Sequence, residues 1–134
     1  MQPIVLERPA TMDRGEPLRV LVVEDYADLA ALVAKWVELA GHSACICHTG
    51  FQAMLAAPTF RPHVILLDIG LPDMYGWELA RMFRDDPALS QTRIIAMTAY
   101  TTEEDRRRSE EAGIDVYMEK PVHQGTLIGL LAQA

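Results

Sequence analysis

His63-Val64-Ile65-Leu66-Leu67-Asp68-Ile69-Gly70-Leu71-Pro72 is the stretch on which the fold turns. His63–Leu67 is a nearly continuous aliphatic run, too short for an ordinary helix and without the polar alternation of a half-exposed strand. It reads as a strand covered on both faces, as in a parallel sheet flanked by helices. A carboxylate, Asp68, stands where the run ends, just before Gly70 and Pro72 turn the chain.

Similar runs lie on either side. Leu18–Val23 and Arg93–Met97 are also rich in Val, Ile and Leu, and Ala44–His48 and Asp115–Met118 are shorter candidates. Helical patterns fill the intervals. Leu29, Leu32, Val33, Trp36 and Ala40 recur at helical spacing, and Gly41 stands where a left-handed cap would end that helix. Residues 51–57 form a short helix closed by Pro58. A third helix runs from about Gly76 to Arg84, burying Leu79, Met82 and Phe83. Thr101-Thr102-Glu103-Glu104 opens a fourth with a capping-box pattern, which Gly113 ends. Leu127, Leu130 and Leu131 mark a fifth after Pro121. This alternation predicts a doubly wound α/β fold: a five-stranded parallel sheet, five helices on its two faces, and right-handed crossovers.

A chain of 134 residues is one domain, and 50% hydrophobic with 23% charged residues suits a folded globule rather than a disordered chain. The net charge of −7 leaves no electrostatic footprint for nucleic acid or an anionic membrane. Cys45 and Cys47, two apart in a strand, are poorly placed for a disulfide and fit a reducing compartment. With no apolar run long enough to span a membrane and no secretory pattern, the expected location is cytoplasmic. Residues 1–16 read as a flexible or loosely docked tail, with a short extra strand at its one apolar run, Ile4-Val5-Leu6, as the alternative, and 17–134 as the folded domain.

Ligands of open parallel sheets bind beyond the carboxyl ends of the strands. There this chain places Glu24-Asp25, Asp68, Thr98-Ala99 and Glu119-Lys120-Pro121, whereas the second strand delivers only His48-Thr49-Gly50. Three converging carboxylates repel unless pKa values rise or a cation binds. Glu24, Asp25 and Asp68 supply −3 and Lys120 supplies +1, so one divalent ion neutralises the set. An all-oxygen site with few ligands favours Mg2+, which commonly accompanies phosphate.

The order and spacing of Val22-Val23-Glu24-Asp25, Leu66–Leu79 with its Asp68 and Gly76, Met97-Thr98-Ala99 and Glu119-Lys120-Pro121 resemble the receiver domain of two-component response regulators. The resemblance runs from about Leu18 to Leu131. It implies the flavodoxin-like strand order 2-1-3-4-5 and a phosphorylation-activated switch in a phosphorelay. Asp68 would accept the phosphoryl group from a histidine kinase or a histidine phosphotransfer protein. Asp25, Asp68 and the backbone carbonyl of Gly70 would hold Mg2+, and Glu24 would contact it directly or through water. Thr98 and Lys120 would bind phosphoryl oxygens, aided by backbone N–H groups near Ile69 and Ala99, and the Lys120-Pro121 bond would be cis. Tyr117 occupies the family's aromatic switch position, and Gly70 and Tyr100 fall where the family tunes dephosphorylation. The resemblance further implies a downstream protein partner on the face formed by the fourth helix, fifth strand and fifth helix, and a homodimer formed on phosphorylation. Such a domain is a phospho-acceptor, not an enzyme with an external substrate.

Other functions fit less well. An aspartate-nucleophile phosphatase needs a second acid two residues after the nucleophile, where Gly70 stands. A flavin site would offer hydroxyls and glycine, not Glu24-Asp25, to a phosphate. A docking module that takes no phosphate typically lacks an acid or the lysine, and here all are present. A receiver detached from a hybrid kinase is the alternative to a stand-alone regulator, which Met1 and the tail favour. His42, Cys45, Cys47 and His48 match no zinc module, and Arg106-Arg107-Arg108 among Glu103, Glu104, Glu110 and Glu111 reads as a salt-bridged solvent face. The fourth helix departs from the family pattern: Ser109 and Glu110 stand where small or aliphatic residues are common, leaving Ala112 as its one clear core residue. That predicts a marginally packed, switchable element.

Overall fold

Val64–Asp68 is buried at every position and forms the central strand β4 of a six-stranded sheet. The computed structural model describes residues 3–5 and 16–134. In chain order the other strands are β1 (Ile4–Val5), β2 (Arg19–Val23), β3 (Ser43–Cys47), β5 (Arg93–Thr98) and β6 (Val116–Glu119). The helices are α1 (Ala27–Leu39), α2 (Gly50–Phe60), α3 (Gly76–Asp85), α4 (Glu103–Glu111) and α5 (Gln124–Ala132). The sheet order is β1-β6-β5-β4-β2-β3. The five strands from β2 to β6 are parallel, and numbered among themselves they give the expected order 2-1-3-4-5.

Alternation along the strands divides the core. Leu21, Val23, Ile65, Leu67, Ile94 and Ala96 face α2 and α3, meeting Ala53, Leu79 and Phe83. Val20, Val22, Val64, Leu66, Ile95 and Met97 face α1 and α5, meeting Val33, Val37, Leu127 and Leu131. Helices on both faces explain why these strands read as unbroken apolar runs rather than alternating ones. No described helix is long and apolar enough to cross a membrane.

Several local expectations need correction. The buried stripe of α1 is Ala30, Val33, Ala34 and Val37; of the expected stripe Val33 is buried and Leu29 and Trp36 pack on the core, while Leu32 is 46% exposed. Both stripes have helical spacing, and the small alanines let the helix sit close to the sheet. On α3 the buried set includes Trp77, Ala80, Leu79 and Phe83, whereas Met82 is exposed. Pro58 does not close α2; it lies inside the last turn, and the helix ends at Phe60 with Arg61 in the left-handed region. Proline there removes one hydrogen bond near a terminus, and Phe60 still packs on the core. Ile4–Val5, within the segment expected to be a tail, pairs antiparallel with β6 because that strand would otherwise leave an open edge. The remainder of that segment, 1–2 and 6–15, lies outside the described residues. Gly41 and Gly113 end α1 and α4 at φ +94° and +89°, values that favour glycine.

Candidate functional site

The parallel strands end together, and their carboxyl ends gather the expected side chains. Glu24 and Asp25 follow β2, Asp68 closes β4, Thr98 closes β5, and Lys120 follows β6. Oxygens of Glu24, Asp25 and Asp68 lie within 4.8 Å of one another, the one such acidic group among the described residues. Glu24 and Asp68 are buried and Asp25 is exposed, so the cluster has one open side. Lys120 Nζ reaches Glu24 Oε1 at 2.7 Å and Asp68 Oδ2 at 3.5 Å. The Lys120-Pro121 peptide is cis.

Burial sets the electrostatics. Desolvation pushes the Glu24 carboxyl above its ordinary value, against the hydrogen bonds from Lys120 and the Tyr26 N–H. For Lys120, desolvation acts downward, but the hydrogen bond to Glu24 and the charge of Asp68 outweigh it and raise the ammonium's pKa. The ammonium therefore stays charged between two carboxylates.

The donor set fits Mg2+. Three carboxylates and one ammonium leave a formal deficit that a divalent ion would cancel, and every donor is a hard oxygen. Both Glu24 oxygens already accept hydrogen bonds, from Lys120 Nζ and at 3.0 Å from Tyr26 N. Asp25 and Asp68 are the better candidates for direct ligation. Gly70 N–H donates to Asp68 Oδ1 at 3.3 Å.

Thr98 is fully buried, and its Oγ1 accepts from Tyr100 N at 2.8 Å, which leaves the hydroxyl hydrogen free to donate. Tyr117 is 1% exposed, more deeply buried than a partly covered strand tyrosine, and its hydroxyl has no partner among the described residues. Burial pushes that phenol up to about 12. Tyr100 lies beside Gly70: a Cβ on that glycine would stand 3.3 Å from the tyrosine hydroxyl.

Two residues of the motif after Asp68 support the site through contacts that were not legible in the sequence. Asp73 accepts from Gly50 N at 2.8 Å and Phe51 N at 2.9 Å, tying the loop after Asp68 to the N-terminus of α2. These bonds hold its carboxyl below the ordinary value. On the other side, His48 Nδ1 meets the Glu24 carbonyl at 3.0 Å. The β3–α2 connection thus braces both acidic loops. Losing such a cap costs about 1 kcal/mol, so Asp73→Ala should lower unfolding stability by that amount in urea titration. The second support is Gly76, where a Cβ would lie 2.6 Å from the Asp68 carbonyl oxygen and 2.9 Å from Ile69 Cα. Backbone cannot yield as a flexible side chain can. Gly76→Ala should cost roughly 1–3 kcal/mol and slow any chemistry at Asp68, read by calorimetry and a labelling rate.

Trp77 Nε1 donates to Ser109 Oγ at 2.9 Å, and that hydroxyl donates to the Asp105 carbonyl at 3.0 Å. Ser109 is the one buried residue of α4, which is therefore held by a polar latch rather than an apolar face. Thr102 caps this helix with Asp105 as the reciprocal acid, one position later than the pattern from Thr101 suggested. Glu104 pairs with both Arg107 and Arg108, and exposed pairs of this kind add little. Cys47 is buried, its thiol pushed up to about 11, and behaves as a small apolar residue.

Comparison with known proteins agrees with the fold. The family model for the response regulator receiver domain matches residues 20–132. The chain is 32% identical over 106 residues to the polar-differentiation response regulator DivK of Brucella anthropi, covering 79% of this chain and 86% of that protein. The structure of chemotaxis protein CheY4 from Vibrio cholerae superposes with a TM-score of 0.83 at 26% identity, covering 87% of this chain and 97% of that one. A sensor protein from Polaromonas gives 0.81 at 28% identity, with 89% and 95% covered.

Proposed function

This chain belongs to the family of response regulator receiver domains, the signalling domains of two-component systems, and from that premise we propose that Asp68 is its phospho-acceptor. The observation that carries the reading is the meeting of Asp68, Lys120, Glu24 and Asp25 at one end of the sheet. A carboxylate oxygen of Asp68 attacks the phosphorus of a phosphohistidine on a kinase or phosphotransfer protein. The O–P bond forms as the P–N bond breaks, and the imidazole departs as the leaving group. Water later cleaves the acyl phosphate and restores Asp68.

Lys120 and the Thr98 hydroxyl bind the phosphoryl oxygens, and backbone N–H groups near Ile69 and Ala99 assist. Asp25, Asp68 and the Gly70 carbonyl would hold Mg2+, and Glu24, whose oxygens already accept from Lys120 and Tyr26, would contact it directly or through water. When bound, the ion offsets the charge that the carboxylates and the phosphoryl group bring together. Lys120 moves from Glu24 toward the phosphoryl group on phosphorylation. Tyr117 serves as the switch residue. The output face consists of α4, β6 and α5, which takes a downstream protein partner, and the site of action is the cytoplasm.

Labelling from a small phosphodonor tests the metal requirement. Uptake should cease in excess chelator and return with Mg2+, and Asp25→Ala should weaken Mg2+ binding. Undiminished uptake in chelator would rule out the metal's role. The polar latch of α4 makes a second expectation: its amides should exchange fastest among the five helices and change when label is taken up. Protection equal to that of α1, unchanged by labelling, would contradict it.

A further inference from the structure

The outer edge of β6 is closed by a segment outside the region shared with the family. The family match begins at residue 20, whereas β1 is Ile4–Val5. β1 runs antiparallel to β6, with Ile4 opposite Tyr117 and Val5 opposite Val116. Without it β6 would be the terminal strand, and its outward N–H and C=O groups would form a template for another chain. Asp115 N donates inward to Ile94, so strand alternation turns the amide of Val116 outward toward Val5. Val116, Tyr117 and Met118 place no charge along this edge; the first is Glu119. Ile4 is half-buried and packs on the core cluster that contains Tyr117. By the same alternation Val5 N–H faces β6 and Ile4 N–H faces away; Pro3, next in line, has no N–H, so the donor pattern stops at Val5 and the pairing stays short.

We propose that the outer edge of β6 is a strand-addition surface that this chain keeps closed in cis with Ile4–Val5. The surface fits an extended apolar segment in antiparallel register, and its resident is the chain's own N-terminal segment. A two-residue strand is marginal, so the strap opens and re-closes instead of sealing the edge permanently, and a second copy of the same segment can take its place. It guards the side of the sheet whose terminal strand leads into Lys120 and carries Tyr117.

The test uses the full chain. Val5→Pro removes the N–H available for edge pairing, and Ile4→Lys sets an ammonium against the Tyr117 cluster while leaving the backbone intact. Amide exchange at Val116 is measured in each, together with binding of a synthetic peptide of residues 1–7. Val116 should exchange roughly tenfold faster in Val5→Pro, with the rest of the sheet still protected. The peptide should bind Val5→Pro and slow Val116 again, and bind the parent, whose edge is occupied, roughly tenfold more weakly. Self-association of Val5→Pro on sedimentation, reversed by the peptide, would also support the surface. Equal Val116 exchange in the parent and both variants would overturn the proposal. So would faster exchange without peptide binding, or equal peptide affinity for parent and Val5→Pro. None of these readouts involves phosphoryl transfer, so failure here is distinct from failure of the Asp68 assignment.

Discussion

In metal-free protein, Lys120→Met is expected to lower unfolding stability by about 3 kcal/mol at pH 8 and by much less at pH 4. Glu24 has a side chain only 1% exposed, and Lys120 is its ion-pair partner at 2.7 Å. Burial already raises the Glu24 pKa, and the lysine is the largest force opposing that rise. Without it the folded-state value climbs further. A carboxyl whose folded pKa is raised binds its proton more tightly in the native state than in the unfolded one. Its contribution is therefore full below the unfolded value and is lost as pH rises through the folded value. The deficit should open as pH climbs above the ordinary range for glutamate. Urea titrations across pH measure this directly, and an equal loss at pH 4 and pH 8 would contradict it. Lys120 itself has a raised pKa, so its contribution in the parent persists below the ordinary lysine value and disappears only as pH rises through the higher folded value.

Arg84→Ala is expected to cost about 3–5 kcal/mol, although it lies at the opposite end of the sheet from the acidic cluster. Its Nε donates to the Gly113 carbonyl at 2.9 Å, and Nη1 donates to the carbonyls of Ser90 and Thr92. Nη2 pairs with Asp115 Oδ2 at 2.8 Å, and that same oxygen accepts from Ile94 N at 2.8 Å. One guanidinium thus joins the C-terminal end of α3 to the entries of β5 and β6. Removing it takes the guanidinium away from a carboxylate that is 1% exposed, although the Ile94 N–H still donates to it. Arg84→Lys keeps the charge but not the planar fork, and should recover only part of the loss. Asp115→Ala combined with Arg84→Ala should cost less than the two single losses added, because each removes the other's partner. Additive losses in thermal unfolding would show that the residues act independently.

The alternation of strands and helices and the gathering of Glu24, Asp25, Asp68 and Lys120 were legible from the chain, whereas the strand order 2-1-3-4-5 was implied by the resemblance to the receiver family. Buried aliphatic runs mark parallel strands, and the residues just after each run stand at one edge of the sheet. Which way a helix rolls was not legible. In α1 the two stripes share Val33, and packing against the sheet centred the buried face on Ala30-Val33-Ala34-Val37, leaving Leu29 and Trp36 at its margin and Leu32 exposed. The Trp77–Ser109 latch and the Arg84 hub join residues 32 and 31 positions apart, and no local pattern encodes such partners. The departure at Ser109 was visible in the sequence, but its partner was not. Asp73 belongs to the loop after Asp68, and its partners at the N-terminus of another helix are set by the fold, not by local sequence. Pro58 stopped the sequence reading because proline usually breaks a helix interior, and here a final turn tolerates it.

The most direct measurement for the central claim is intact-mass analysis of the full chain after incubation with a small phosphodonor and Mg2+, followed by peptide mapping, beside Asp68→Asn. The amide keeps the shape of the side chain but removes the nucleophilic carboxylate. The parent should gain the mass of one phosphoryl group, located on the peptide containing Asp68, and Asp68→Asn should gain none. Labelling of Asp68→Asn at the parent's rate, or a phosphoryl group mapped to another residue in the parent, would contradict the account.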